Sequence, residues 1–128
     1  MRTAILAAMA TLLLGQATQR APEADTRMML TIFLRHDQTK TLDEIRAHLE
    51  KTGFTASFPP QGVEVISWYV MMGIGQVVTV RFPAERLREV NRMIEQKAWG
   101  AYRTEFYPTY DYKAVWEQER AKRAGQAH

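Results

Sequence analysis

Arg35, Arg81, Arg103 and Glu105 are the residues of this chain whose types and positions suit work on a charged small molecule. Each falls on the polar phase of an otherwise apolar, alternating stretch. Strand periodicity therefore turns all four towards one side of a sheet. Arginines in a partly closed, aromatic-lined cavity grip a planar carboxylate through two parallel hydrogen bonds. A glutamate desolvated among aromatics has its pKa raised and becomes a general acid or base. The same phase carries Tyr69 and Tyr107 as lining residues, with Thr31, Thr79 and Ser67 as smaller polar groups. Arg35, Arg81, Arg103, Tyr69 and Tyr107 are thus the candidate ligand-binding set, and Glu105 is the first catalytic candidate. Placed at strand ends, the same charges would instead form Arg–Glu pairs across an interface and do no chemistry.

His36, followed by Asp37, is the second catalytic candidate. Beside a cavity mouth it would shuttle a proton, or ligate a haem with Asp37 orienting it; in a solvated loop it would do neither. His48 and His128 share no ligand spacing with it, so no metal site is expected. Met28-Met29 and Met71-Met72 offer soft sulfur, but neighbours on a strand face opposite ways, and Met is then better used as core filler. Gly73-Ile74-Gly75 has strands on both sides and reads as a turn, not a phosphate loop. Ser67 has no His and acid at a hydrolase spacing.

These residues need strands to hold them. Residues 62–83 read as a hairpin, two β-branched runs flanking Met72-Gly73-Ile74-Gly75. Pairing about Ile74 sets Met72 opposite Gln76, and lines Ile66, Trp68 and Val70 up with Val78, Val80 and Phe82 on a wholly apolar face. Residues 28–36 form a strand with Leu30, Ile32 and Leu34 on one face. Thr41 as N-cap with Glu44 opens a helix whose stripe is Leu42, Ile45 and Leu49, ended by Gly53. Phe54 packs back, and residues 55–61 are loop. A second helix after Pro83 carries Leu87, Val90 and Ile94, with Met93 beside them. Residues 101–107 are a last strand, limited by Pro108. Tyr107, Tyr110 and Tyr112 then lead into a charged, helix-prone tail over 113–128.

The chain has 128 residues and a formal charge of +3 at pH 7. Arg2, the apolar run 4–14 and Gly15-Gln16-Ala17 have the pattern of an export signal over 1–17. The run is shorter than the roughly 20 residues a membrane span needs. Residues 18–27 are a polar leader, and 28–112 the domain. The mature chain of about 110 residues suits one modest core. Without cysteine it is neither a disulfide scaffold nor a thiol enzyme. A dispersed net charge of about +2 after signal removal argues against nucleic acid as partner. The expected location is periplasmic or secreted, with no stable membrane anchor.

The element order is strand, helix, strand, strand, helix, strand. It predicts an α+β, ferredoxin-like βαββαβ fold with a four-stranded antiparallel sheet and both helices on one face. The other face, with Phe33, Tyr69, Met71, Val77 and Tyr107, is left uncovered. A symmetric sheet-to-sheet homodimer would close it. That core, the uncovered face and the Trp68-Tyr69-Val70-Met71-Met72-Gly73 approach to the hairpin resemble the dimeric α/β-barrel superfamily. Its members include muconolactone isomerase-like, EthD-like and antibiotic-biosynthesis-monooxygenase-like proteins and some haem-binding enzymes. The resemblance implies a dimer with a ligand between its sheets. The function expected is binding of an amphipathic, anionic or aromatic small molecule. It extends to cofactor-free isomerisation or cyclisation by proton transfer, with no cofactor required. A non-catalytic metabolite- or haem-binding module and a structural interaction domain are the alternatives.

Overall fold

The computed structural model describes residues 25–126. The export signal expected at 1–17 and most of the expected leader lie outside the described residues. The chain is an α+β fold whose elements run β1 (Met28–His36), α1 (Leu42–Thr52), α2 (Phe54–Ser57), β2 (Glu64–Met71), β3 (Gly75–Phe82), a 3-10 turn (Ala84–Arg86), α3 (Leu87–Lys97), β4 (Tyr102–Thr109) and α4 (Tyr112–Gln126). All pairings are antiparallel, and the strands lie in the order β2-β3-β1-β4. This arrangement is compatible with a ferredoxin-like fold. No helix among the described residues is long and apolar enough to cross a membrane.

Local chemistry fixes the helix ends. The Thr41 hydroxyl accepts from the Glu44 amide, and the Glu44 carboxylate accepts from the Thr41 amide, so two otherwise orphaned donors are satisfied at once. Gly53 stops α1 at φ 77°, a left-handed conformation that costs glycine nothing. The chain then makes the short helix α2 where loop is expected. Phe54 is buried and stacks on Phe58 at 5.3 Å, and this local aromatic pair holds the extra turn.

One core forms between the helices and one sheet face. Leu30, Ile32 and Leu34 of β1 and Val78, Val80 and Phe82 of β3 meet Ile45 and Leu49 of α1 and Val90 and Ile94 of α3. The two strands that supply most of it are the inner pair, each flanked on both sides. Leu42 and Leu87, at the first residues of their helices, stay exposed.

Three expectations are corrected. The hairpin turns about Gly73, with Met71 opposite Gly75, and at its far end the ladder shifts between Val65 and Ser67. This irregularity brings Val65 opposite Val80 and leaves Ile66 exposed, a bulge's usual effect of re-aiming the strand. Trp68 and Val70 do not sit under the helices: they are 37% and 67% exposed. β2 is an edge strand, and the helices cover the inner strands. Finally, β4 runs through Pro108, which pairs with Leu30, and on to Thr109, opposite Met29. An edge strand tolerates a missing N–H on its outer side.

Candidate functional site

The face without helices is built of cross-strand rows, written here in the order β2, β3, β1, β4. Glu64, Arg81, Met29 and Thr109 form one end; then come Ser67, Thr79, Thr31 and Tyr107; then Tyr69, Val77, Phe33 and Glu105; and Met71, Gly75, Arg35 and Arg103 form the other end. Arg35 and Arg103 are therefore direct neighbours on adjacent strands. Arg81 pairs with Met29, six residues from Arg35 along β1, which is about 20 Å at strand rise. The arginines divide two and one.

At the two-arginine end, Arg35 Nε donates to Glu105 Oε1 at 3.2 Å, and the Tyr107 hydroxyl donates to Glu105 Oε2 at 3.2 Å. Both carboxylate oxygens are thus engaged from different sides. The bond to Glu105 raises the Tyr107 pKa above the ordinary phenol value, because ionising the phenol would set an anion against a carboxylate. Phe33 stands edge-on to Tyr107, with ring centres 5.7 Å apart, and the Arg35 guanidinium lies 5.9 Å from the Phe33 ring centre. Arg103 lies within salt-bridge distance of no carboxylate among the described residues. Arg35 and Glu105 keep 45% and 41% of their side-chain surface exposed, so the pair is not desolvated.

A pocket of about 350 Å³ opens at this end of the sheet, lined by Arg35, Arg103, His36, Asp37, Thr39 and Ile74 among others. Gly75 sets how closely β3 approaches Arg35. At φ 152° this residue lies so close to β1 that a Cβ would overlap Leu34 O and press on Arg35 Cα at 2.9 Å. Any side chain there would push β1 away and tilt Arg35. The rim is the turn after β1, where Asp37 accepts from the Thr39 amide at 3.0 Å and the Thr39 hydroxyl at 2.6 Å. These bonds, with Lys40 and Arg103 nearby, hold the Asp37 carboxyl below the usual range. Gln38 donates to Gly73 O at 3.0 Å and ties the rim to the hairpin turn. Gln38 and Thr39 are site residues that sequence reasoning missed. Their signal was slight: two polar residues directly after a strand.

His36 falls on the opposite strand phase from Arg35. Its ring stacks on Tyr102 at 5.7 Å and 21°, and Asp37 is engaged by Thr39. Tyr69 lies two strands from Phe33 in the same row as Glu105 and is 67% exposed. Among the described residues no group of three His, Asp or Glu side chains is placed to hold a metal ion.

Arg81 belongs to another cluster. Arg27 bridges Asp25 at 2.7 Å and Glu64 at 3.1 Å, and Arg81 approaches Asp25 at 3.8 Å. Hydrogen bonds from Arg27 lower the Asp25 pKa to about 2. This network pins the segment before β1 to the far end of the sheet.

Compared with known proteins, the chain matches no family model, no curated protein and no solved structure.

Proposed function

We propose that this protein is an exported binding protein for a small amphipathic anion, an aromatic or aliphatic carboxylate held on the helix-free sheet face. The observation that carries the reading is the Arg35–Arg103 pair, two cations in direct register. Of these, Arg35 is bridged by Glu105, and Arg103 has no carboxylate within salt-bridge distance among the described residues, Asp37 acting on it only at longer range. Like charges opposite one another on a sheet are unfavourable unless an anion answers them. Arg103 is the guanidinium left to answer. The apolar part of the ligand would lie along Phe33, Val77 and Tyr69, beside the charge.

A second copy packed sheet to sheet would close the site. It would cover the exposed aromatics and lower the local dielectric, which strengthens the Arg–carboxylate contact. Arg81, with its own partners at the other end of the face, then serves to order that end.

Cofactor-free proton transfer is the second reading, and the Glu105–Tyr107 hydrogen bond supports it. A ligand carboxylate that draws Arg35 away would release one oxygen of Glu105 beside the bound molecule, with Tyr107 on the other. The binding reading is tested by calorimetric titration of the full chain with a panel of aromatic and aliphatic carboxylates. Saturable binding that weakens in Arg103→Gln is expected. Binding indifferent to Arg103, or none across the panel, would overturn it.

A further inference from the structure

Among the described residues the outer backbone row of the edge strand β2 is unpaired, Trp68 and Val70 are exposed on the helix side, and Tyr69 is exposed on the open face. Unprotected apolar edges invite another strand, and proteins usually blunt them with charge or proline. The other edge is blunted that way: β4 carries Arg103, Glu105 and Pro108. β2 carries one charge, Glu64, at its first residue, where Arg27 answers it; from Val65 to Met71 it is neutral. The ladder irregularity at Ile66 leaves residues 67–71 as a regular, unprotected run.

We infer that β2 pairs edge to edge with β2 of a second copy, antiparallel, joining two four-stranded sheets into one of eight. The strand is its own best complement. A two-fold axis perpendicular to the sheet keeps helix side with helix side. Centred on Tyr69, it sets Trp68 against Val70 of the partner subunit and Tyr69 against the partner's Tyr69. No charge of one strand meets a like charge of the other. The surface is also stiff. Trp68 is held edge-on by Phe58 at 5.6 Å, and its Nε1 donates to Gln76 Oε1 at 2.7 Å, so little side-chain freedom is lost on docking. Symmetry limits growth: an isologous contact uses up the edge and closes at two copies. This contact is distinct from sheet-face closure of the ligand site, because it uses the backbone edge of β2 and the helix-side Trp68 and Val70, with Tyr69 alone bordering both.

The test combines sedimentation with cross-linking. The chain contains no cysteine, so Val70→Cys places one thiol on the helix side, where only edge pairing brings two copies together. A bismaleimide of about 8 Å reach, matching diagonal neighbours across a ladder, should give a covalent dimer in high yield. Val70→Lys should halve the sedimenting mass relative to the full-length wild type while leaving carboxylate binding in place. Circular dichroism checks that this exposed position still folds. Absence of cross-linking in Val70→Cys, or a mass unchanged by Val70→Lys, would overturn the inference. So would native mass spectrometry showing the edge occupied by a different chain. If carboxylate binding fails while the mass still halves, the functional reading falls and the edge contact stands.

Discussion

Arg35 and Arg103 face each other across the β1–β4 ladder, and Glu105, two residues from Arg103 on the same strand, bridges to Arg35 at 3.2 Å. Beside a pocket of about 350 Å³ the sheet thus leaves Arg103 with no carboxylate at salt-bridge distance among the described residues, and Asp37 on the rim interacts with it only at longer range. A fold that needed only stability would gain nothing from this opposition.

Arg103→Gln separates binding from folding. Removing the cation relieves the like-charge pair with Arg35 and gives up a longer-range attraction to Asp37, so stability should change by less than about 0.5 kcal/mol. Affinity for a carboxylate ligand should fall roughly ten- to hundredfold, the worth of a charge-assisted hydrogen bond. Chemical denaturation and calorimetry on the same samples check both.

Glu105→Gln should lower the Tyr107 pKa towards that of an ordinary phenol, because the carboxylate that opposes its ionisation is gone. Ultraviolet titration of tyrosinate reads this directly, with Tyr107→Phe identifying the transition. An unchanged alkaline titration would mean that the Glu105–Tyr107 bond does not form in solution.

The sheet's inner and edge strands should respond very differently to truncation. Ile32→Ala removes a fully buried side chain and should cost about 2–5 kcal/mol. Val70→Ala, at a position 67% exposed, should cost under about 1 kcal/mol in the separated protomer. Urea unfolding midpoints decide between them.

Asp25 gives the far end of the sheet its own acid response. Its folded pKa of about 2 lies below the ordinary aspartate value of 3.8. The stabilisation is therefore complete above about pH 4 and lost as pH falls through about 2. In Asp25→Asn that part of the pH dependence should vanish. The change in melting temperature should be small, since the Arg27 and Asp25 side chains are solvent-exposed.

Much of the architecture was legible from period and punctuation. The Thr41–Glu44 box, Gly53, and the aliphatic phases of β1 and β3 each report a local rule, and local rules survive folding. The register of β2 was not legible. Val65 and Ile66 are both β-branched, so the sequence carries no sign of which of the two faces inward. The burial of Trp68 and Val70 failed for a related reason: periodicity gives a strand's faces but not its place at the edge of a sheet. For the candidate site, alternation was enough to put Arg35, Arg81, Arg103 and Glu105 on one face. Only the ladder shows that Arg35 and Arg103 meet and that Arg81 stands six residues away along the neighbouring strand. The Asp37–Thr39 rim depends on a turn conformation that two polar residues do not specify.

The most direct test is native mass spectrometry of the protein recovered from its own host. The account predicts a chain that assembles with a second copy and carries a discrete organic mass, lost in Arg103→Gln. An apo monomer, or a bound mass retained without Arg103, would contradict it.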